Sequence, residues 1–349
     1  MKANNVLWVD FVRVVATFSV VLLHSAAPLL YKYNELSIGD WWMGNLYDSI
    51  VRMCVPLFFL ISGYLLLDKK ETASDFFMKR TSRVIFPLLI WSMLYILWKH
   101  YIEGIDSITL LSFFSLAMTP AYYHLWFMYA IIGIYLYVPI LRIFVQNSTT
   151  ELLCYFVALW FLSVSIIPFI EKITHIDSKV DLKMISGYVG YLVLGNLLGK
   201  AQLTKRYLFI SFIIFILAVA TTSIGTYIMT VRNNGAFFGY LYSYLSPNVI
   251  FMSAAAFVFF KYTAENIRAF EYGPVKKIIG ALSSASLGIY FIHTMVLYIL
   301  SNGYLGFKLN SFTYKALYAV PATAMITFTV SFAAIWMVRK IPVIRKIAP

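Results

Sequence analysis

The sequence predicts an all-α, polytopic integral membrane protein with about ten transmembrane helices, and two observations carry that prediction. Of its 349 residues 61% are hydrophobic and only 12% charged, against roughly 45–50% and about 25% in soluble domains. Its mean hydropathy is +0.79. The apolar residues also fall into uncharged runs long enough to cross about 30 Å of hydrocarbon, which takes roughly 17–25 residues of helix. A soluble fold of this size has nowhere to place so much apolar surface. Cytosolic enzymes, nucleic-acid binders, disordered tails and disulfide-stapled secreted domains are excluded.

The runs are approximately 6–29, 46–67, 84–102, 124–145, 151–170, 185–199, 207–230, 246–263, 278–300 and 316–338. Asp10 and Arg13 interrupt the start of the first, and no convincing cleavage site follows Ser25-Ala26-Ala27, so it reads as a span rather than a removed signal peptide. The stretch 107–118, ending near Pro120, is too short to cross and reads as an interfacial or re-entrant piece. The sixth run, 185–199, is also short. Its Gly187, Gly190, Gly195 and Gly199 let a neighbouring helix approach closely, with Gly195 and Gly199 in small-xxx-small spacing. The chain is expected to form a single domain over 1–349 with no appended soluble domain.

Orientation follows from the basic residues in alternate loops. With a cytoplasmic N-terminus, 18 Lys and Arg lie inside and 8 outside, leaving Arg13 and Arg52 within spans. That split places both termini in the cytoplasm. It also explains most of the net charge of +13, so the charge does not signal a nucleic-acid partner. Cys54 and Cys154 both sit in apolar runs and read as packed thiols. No metal-ligand spacing is present, so no metal is expected.

Arg13 and Arg52 are the informative residues, because an ionisable group at bilayer depth is costly and marks a functional site by default. Eleven helical steps carry His24 about 16 Å beyond Arg13 towards the outer leaflet. The second span runs the other way, which puts Arg52 at about the depth of His24. His124, opening span four, and His293, about fifteen residues into span nine, fall in the same outer half. Arg83 opens span three at the inner face beside Lys79 and Arg80. Two layers result: an inner basic layer around Arg13 and Arg83, and an outer layer of His24, Arg52, His124 and His293. Such a layout suits a reaction that draws an anionic donor from the cytoplasm and acts on something nearer the outside. A carboxylate to orient His24 is not obvious. Asp48 is the acid nearest its depth, and Asp10 is spaced to pair with Arg13 at i,i+3.

The spacing Arg13-x10-His24, the block from Arg52-Met53-Cys54-Val55-Pro56 to Ser62-Gly63-Tyr64, the segment Arg80-Thr81-Ser82-Arg83-Val84-Ile85-Phe86-Pro87, the block Tyr123-His124-Leu125-Trp126-Phe127 and the segment Ser286-Leu287-Gly288-Ile289-Tyr290-Phe291-Ile292-His293 together resemble the acyltransferase-3 family of integral membrane acyltransferases. Within it the chain looks most similar to the WecH-type O-acetyltransferases of surface polysaccharide. The resemblance implies transfer of an acyl group, usually acetyl, from cytoplasmic acetyl-CoA or another acyl-CoA. The acceptor it implies is a hydroxyl of a cell-surface or lipid-linked carbohydrate, and the location is the cell's inner membrane. Carried onto this chain, it makes His24 the catalytic base or a transient acyl carrier. Arg13 and Arg83, with neighbouring Arg80, become the groups for the donor's phosphates. Arg52 becomes a stabiliser of charge on the thioester oxygen, and His124, Trp126 and His293 fall on the acceptor side. The alternative is a carrier or flippase for a lipid-linked sugar, with Arg13, Arg52 and His24 as an ion pathway. It lacks an inverted repeat, and the charges it would use are concentrated in the first three spans.

Overall fold

The computed structural model describes residues 7–105, 108–109, 115–116, 118–175, 187–342 and 345–347, and among them there is no strand. The chain begins with α1 (Leu7–Leu30), a 24-residue helix at the centre of the bundle that packs on five others. The second span is broken into α2 (Ile38–Val51) and α3 (Cys54–Leu66). Pro56 explains the break: its ring clashes with the carbonyl four residues back, that of Arg52. The helix therefore restarts at Cys54 with Arg52 at the joint.

The third span is α4 (Ala73–Arg80), one π-helical stretch (Thr81–Ile85) and α5 (Phe86–Tyr101). A 3-10 turn (Tyr123–Leu125) leads into α6 (Trp126–Gln146). Next come α7 (Thr150–Phe161), a second π-helical stretch (Leu162–Ile166) and α8 (Ile167–Thr174). Each π stretch lies just before a proline, Pro87 or Pro168, that removes a backbone donor and sits in the first turn of the next helix. The remaining helices are α9 (Val189–Lys200), α10 (Lys205–Arg232), α11 (Pro247–Asn266), α12 (Gly273–Asn302) and α13 (Ala316–Lys340).

Among the described residues nine helical spans are long and apolar enough to cross a membrane. The sixth sequence run yields only the 12 residues of α9, about 18 Å of helix. Its contacts show how it fits. Trp160 Nε1 donates to Gly187 O at 2.8 Å, ten residues or about 15 Å above the start of α7. At the other end Lys200 Nζ bonds Asp68 at 2.7 Å. The helix thus begins near mid-depth and runs to the end of the bundle that holds Asp68. Asp10 and Arg339 lie at that same end: Ser283 bonds Asp10, Arg339 bonds Ser284, and Asp10 shares a chamber with Lys69. Crossings must then be even in number, and α9 supplies the tenth. The expectation for 107–118 falls for the most part outside the described residues.

Glycine makes α9 possible. A Cβ on Gly195 would stand 2.1 Å from Leu60 O, and one on Gly63 1.9 Å from Leu192 O, so α3 and α9 touch backbone to backbone. Close approach of this kind drives helix association where lipid supplies no hydrophobic force. Gly195→Ala should therefore destabilise the protein by about 1–3 kcal/mol, read as a lower Tm of the detergent-purified chain. Gly133→Ala is the control, because a Cβ there meets nothing within 4 Å; its Tm should hold or rise slightly.

Candidate active site

Both ends of the site hang from α1. Near its start Arg13 Nη1 donates to Asp10 Oδ1 at 2.9 Å and to Ser283 Oγ at 2.7 Å, and Ser283 in turn donates to Asp10 at 2.7 Å. The i,i+3 pairing expected from the sequence is present, tied to α12 by one serine. Eleven residues on, His24 lies at the other end of the bundle's interior.

Around Arg13 opens a chamber of about 450 Å³ whose charged walls are Asp10, Arg13, Lys69, Arg80 and Arg83, with Ser62, Tyr135, Ser286 and Tyr290 as further polar groups. Four cations face one carboxylate, and that carboxylate is already held by Arg13 and Ser283. The π-helical stretch sets Arg83 on the same chamber as Arg80, whose guanidinium lies over the rings of Phe76 and Tyr135 at 5.2 and 5.5 Å. Lys69 sits in the loop between α3 and α4. Arg142 clamps that loop, its Nε donating to Leu66 O at 2.8 Å and its Nη2 to Glu71 at 2.6 Å. Burial, and after it the Arg80 cation, hold the Lys69 ammonium below the ordinary lysine range, as a cation crowded by cations requires.

The histidines of the outer layer come together. The His24 and His293 rings are 5.2 Å apart centre to centre, and His293 and His124 are 5.1 Å apart. Hydrogen-bond accounting fixes their protons. His293 Nδ1 lies 2.7 Å from the carbonyl of Tyr290, which can only accept, so Nδ1 carries the proton and Nε2 a lone pair. Tyr95 donates to Phe291 O at 2.6 Å, which leaves Thr294 to donate to the Tyr95 oxygen at 2.5 Å. The Thr294 oxygen then receives the Nδ1 proton of His124 at 3.4 Å. His124 and His293 are both buried, and their Nε2 atoms have no hydrogen-bond partner among the described residues.

His24 is the one of the three that lines a second chamber, of about 250 Å³. Its walls include Tyr122, Tyr123, Thr294, Ser301, Asn302, Asn310 and Thr323, and among the described residues none is Lys, Arg, Asp or Glu. Tyr123 packs edge-on to the His24 ring at 5.3 Å. Between the chambers stand Tyr290, His124 and His293. Tyr290 lines the basic chamber and its hydroxyl donates to the His124 carbonyl, while His293 touches His24.

Arg52 is not brought to the wall of either chamber. Its Nε lies 2.6 Å from Asp48 Oδ1, and its Nη2 donates to Oδ2 at 2.9 Å. The guanidinium also lies over the rings of Tyr242 and Tyr244, at 4.3 and 5.8 Å. Asp48 is therefore committed to Arg52 rather than to His24. Trp126 stacks on Tyr244 at 5.6 Å, behind this pair, and likewise lines neither chamber. Sequence reasoning missed Tyr290 and Thr294. Tyr290 is three residues from His293 on one helix, which places both on one face. It also missed Lys69 and Thr323, which carry no local signal.

No curated protein and no solved structure matches the chain. A family model, Acyl_transf_3, described as an acyltransferase domain, matches residues 6–336. That span takes in Arg13, His24, the histidine cluster and the walls of both chambers. The chain belongs to this family of membrane acyltransferases.

Proposed function

We propose that the protein transfers an acyl group, acetyl in the simplest case, from a cytoplasmic acyl-CoA to a hydroxyl of a cell-surface or lipid-linked carbohydrate at the cell membrane. The observation that carries the reading is the pair of chambers of opposite character, one cationic and one uncharged, with histidines between them.

In the basic chamber Arg13, Arg80, Arg83 and Lys69 bind the phosphates of the donor. Guanidinium forks match phosphate oxygens in geometry, and the ammonium adds a point charge. Lying over apolar rings, Arg80 keeps its charge unopposed by carboxylates until an anion arrives. At the other chamber His24 takes the proton of the acceptor hydroxyl as a C–O bond forms to the acyl carbon and the C–S bond breaks. The proton then passes to the departing thiolate, so the products are an ester and free CoA thiol. Should His24 carry the acyl group in passing, a C–N bond to its ring forms as the C–S bond breaks, and the acceptor oxygen then forms the C–O bond as that C–N bond breaks.

In either route one ring nitrogen of His24 acts and the other must hold a proton. The acceptor on offer for that proton is His293 Nε2: its lone pair is fixed by the bond from Nδ1 to Tyr290 O, is unpartnered among the described residues, and belongs to the ring beside His24. His293 is a positioning residue, as the carboxylate is in a Ser-His-Asp triad. Arg52, held by Asp48, has a positioning role of a different kind, fixing the break in the second span and the tyrosines beside it.

His24→Ala should lower the acyl-transfer rate by roughly 10²–10⁴-fold, measured with radiolabelled acetyl-CoA in proteoliposomes, with insertion and Tm near wild type. A variant that still transfers at the wild-type rate removes His24 from the mechanism. Arg80→Ala and Arg83→Ala should each raise the Kd for acetyl-CoA about tenfold or more, the loss of one charge-assisted contact. Calorimetric titration of the purified variants tests this, and an unchanged Kd places the donor elsewhere. For His293 the expected sign is a fall in kcat with KM held. His293→Phe keeps the ring but loses the acceptor, whereas His293→Gln restores an acceptor oxygen and recovers part of the rate. Equal rates in the two variants would limit His293 to packing.

A further inference from the structure

The wall of the smaller chamber specifies more than a carbohydrate. We propose that it takes its acceptor as an uncharged polyhydroxyl ring and discriminates against sugars that carry a carboxylate or an ammonium, an inference that rests on the acyltransferase reading above. The two chambers differ sharply in charge. The basic one presents five charged side chains, whereas among the described residues the one at His24 presents hydroxyls, amides and tyrosine rings with no Lys, Arg, Asp or Glu.

Two charges that touch this wall, Glu103 and Lys32, are already used. Glu103 accepts from Tyr122 Oη at 2.7 Å and from Trp98 Nε1 at 3.1 Å. Lys32 is paired with Glu35 at 2.5 Å and lies over the Phe312 ring at 5.7 Å. An ionised substituent entering the chamber would lose its hydration and find no counter-charge.

A built polar site is present for neutral groups. Thr323, 1% exposed, is among the residues lining this chamber, and its Oγ1 is buried with no hydrogen-bond partner among the described residues. A buried hydroxyl in that state is matched by a ligand hydroxyl, and a site made to bond a hydroxyl rejects an analogue that leaves it unpaired. Tyr122 and Tyr123 add aromatic faces for the ring itself. The volume of about 250 Å³ lies below the ~300–1,000 Å³ of pockets that enclose drug-sized ligands. It admits one ring of a longer acceptor and leaves the rest outside.

The test offers the proteoliposome-reconstituted protein radiolabelled acetyl-CoA with three acceptor sets: the methyl glycosides of glucose, galactose and mannose, their methyl uronates, and their 2-amino counterparts at pH 7. At least one neutral glycoside should be esterified with kcat/KM tenfold or more above both of its charged counterparts. Thr323→Val should raise the KM for that glycoside about tenfold, and Thr323→Ser, which keeps the hydroxyl, should restore it. Transfer to a charged counterpart at an equal or higher rate overturns the proposal. So does consumption of acetyl-CoA with no ester formed on any neutral glycoside. Failure to consume acetyl-CoA with any acceptor, or with water, overturns the acyltransferase reading itself.

Discussion

Arg13 and His24 ride on one unbroken helix, and that covalent fact governs the rest. Eleven residues of α1 set a separation of about 16 Å, which neither loop movement nor domain closure alters. The other elements complete what α1 begins at each end. At the Arg13 end α12 supplies Ser283, and α4 with its π-helical continuation supplies Arg80 and Arg83. At the His24 end α12 returns with His293 and Thr294, and the turn before α6 brings His124. The helix touches α2, α3, α11, α12 and α13, so its axis is fixed on several sides.

A second constraint comes from the solvent. In hydrocarbon every backbone and side-chain polar group must find its partner inside the protein. Pro56 frees polar backbone at the α2–α3 joint, and a dense network surrounds that joint. Asp48 pairs with Arg52, Tyr242 donates to Asn45 Oδ1 at 2.5 Å, and Asn45 Nδ2 bonds Ser223 O at 2.9 Å. Read by its cost alone, a buried arginine marks chemistry. Here the guanidinium lies at a bend, paired with Asp48 and over two tyrosine rings. Satisfaction is not complete: unpartnered polar atoms are spread through the bundle, and three of them, His124 Nε2, His293 Nε2 and Thr323 Oγ1, belong to the small chamber and its dividing wall.

Much of this was legible in the residues. The uncharged runs located the spans, and bookkeeping of depth along antiparallel helices put His24, His124 and His293 in one layer before any coordinate did. Depth, however, is one dimension. Arg52 shares that layer yet lines neither chamber, because Asp48, one turn back, holds its guanidinium beside Tyr242 and Tyr244 at a break that an unbroken apolar run conceals. Pro56 was the available signal, four residues after Arg52. The sixth span was legible as unusual through its glycines, but its half-length depends on contacts from α3 and α7. Thr323 was not legible, since one threonine in an apolar helix resembles any other until its neighbours are known.

The brevity of α9 bears on how the protein reaches its membrane topology. A helix of 12 residues carrying Asn196 and Lys200 is too short and too polar to partition as an independent span. Its C-terminal carbonyls lie at the end of the bundle that holds Asp68. In the finished bundle Lys261 of α11 covers them, donating to Gly199 O and Ala201 O, each at 2.8 Å. That lysine comes some sixty residues later in the chain. The sixth crossing is thus secured from both directions along the chain: α3 and α7, which precede it, hold its length, and a cation on α11, which follows it, closes its end.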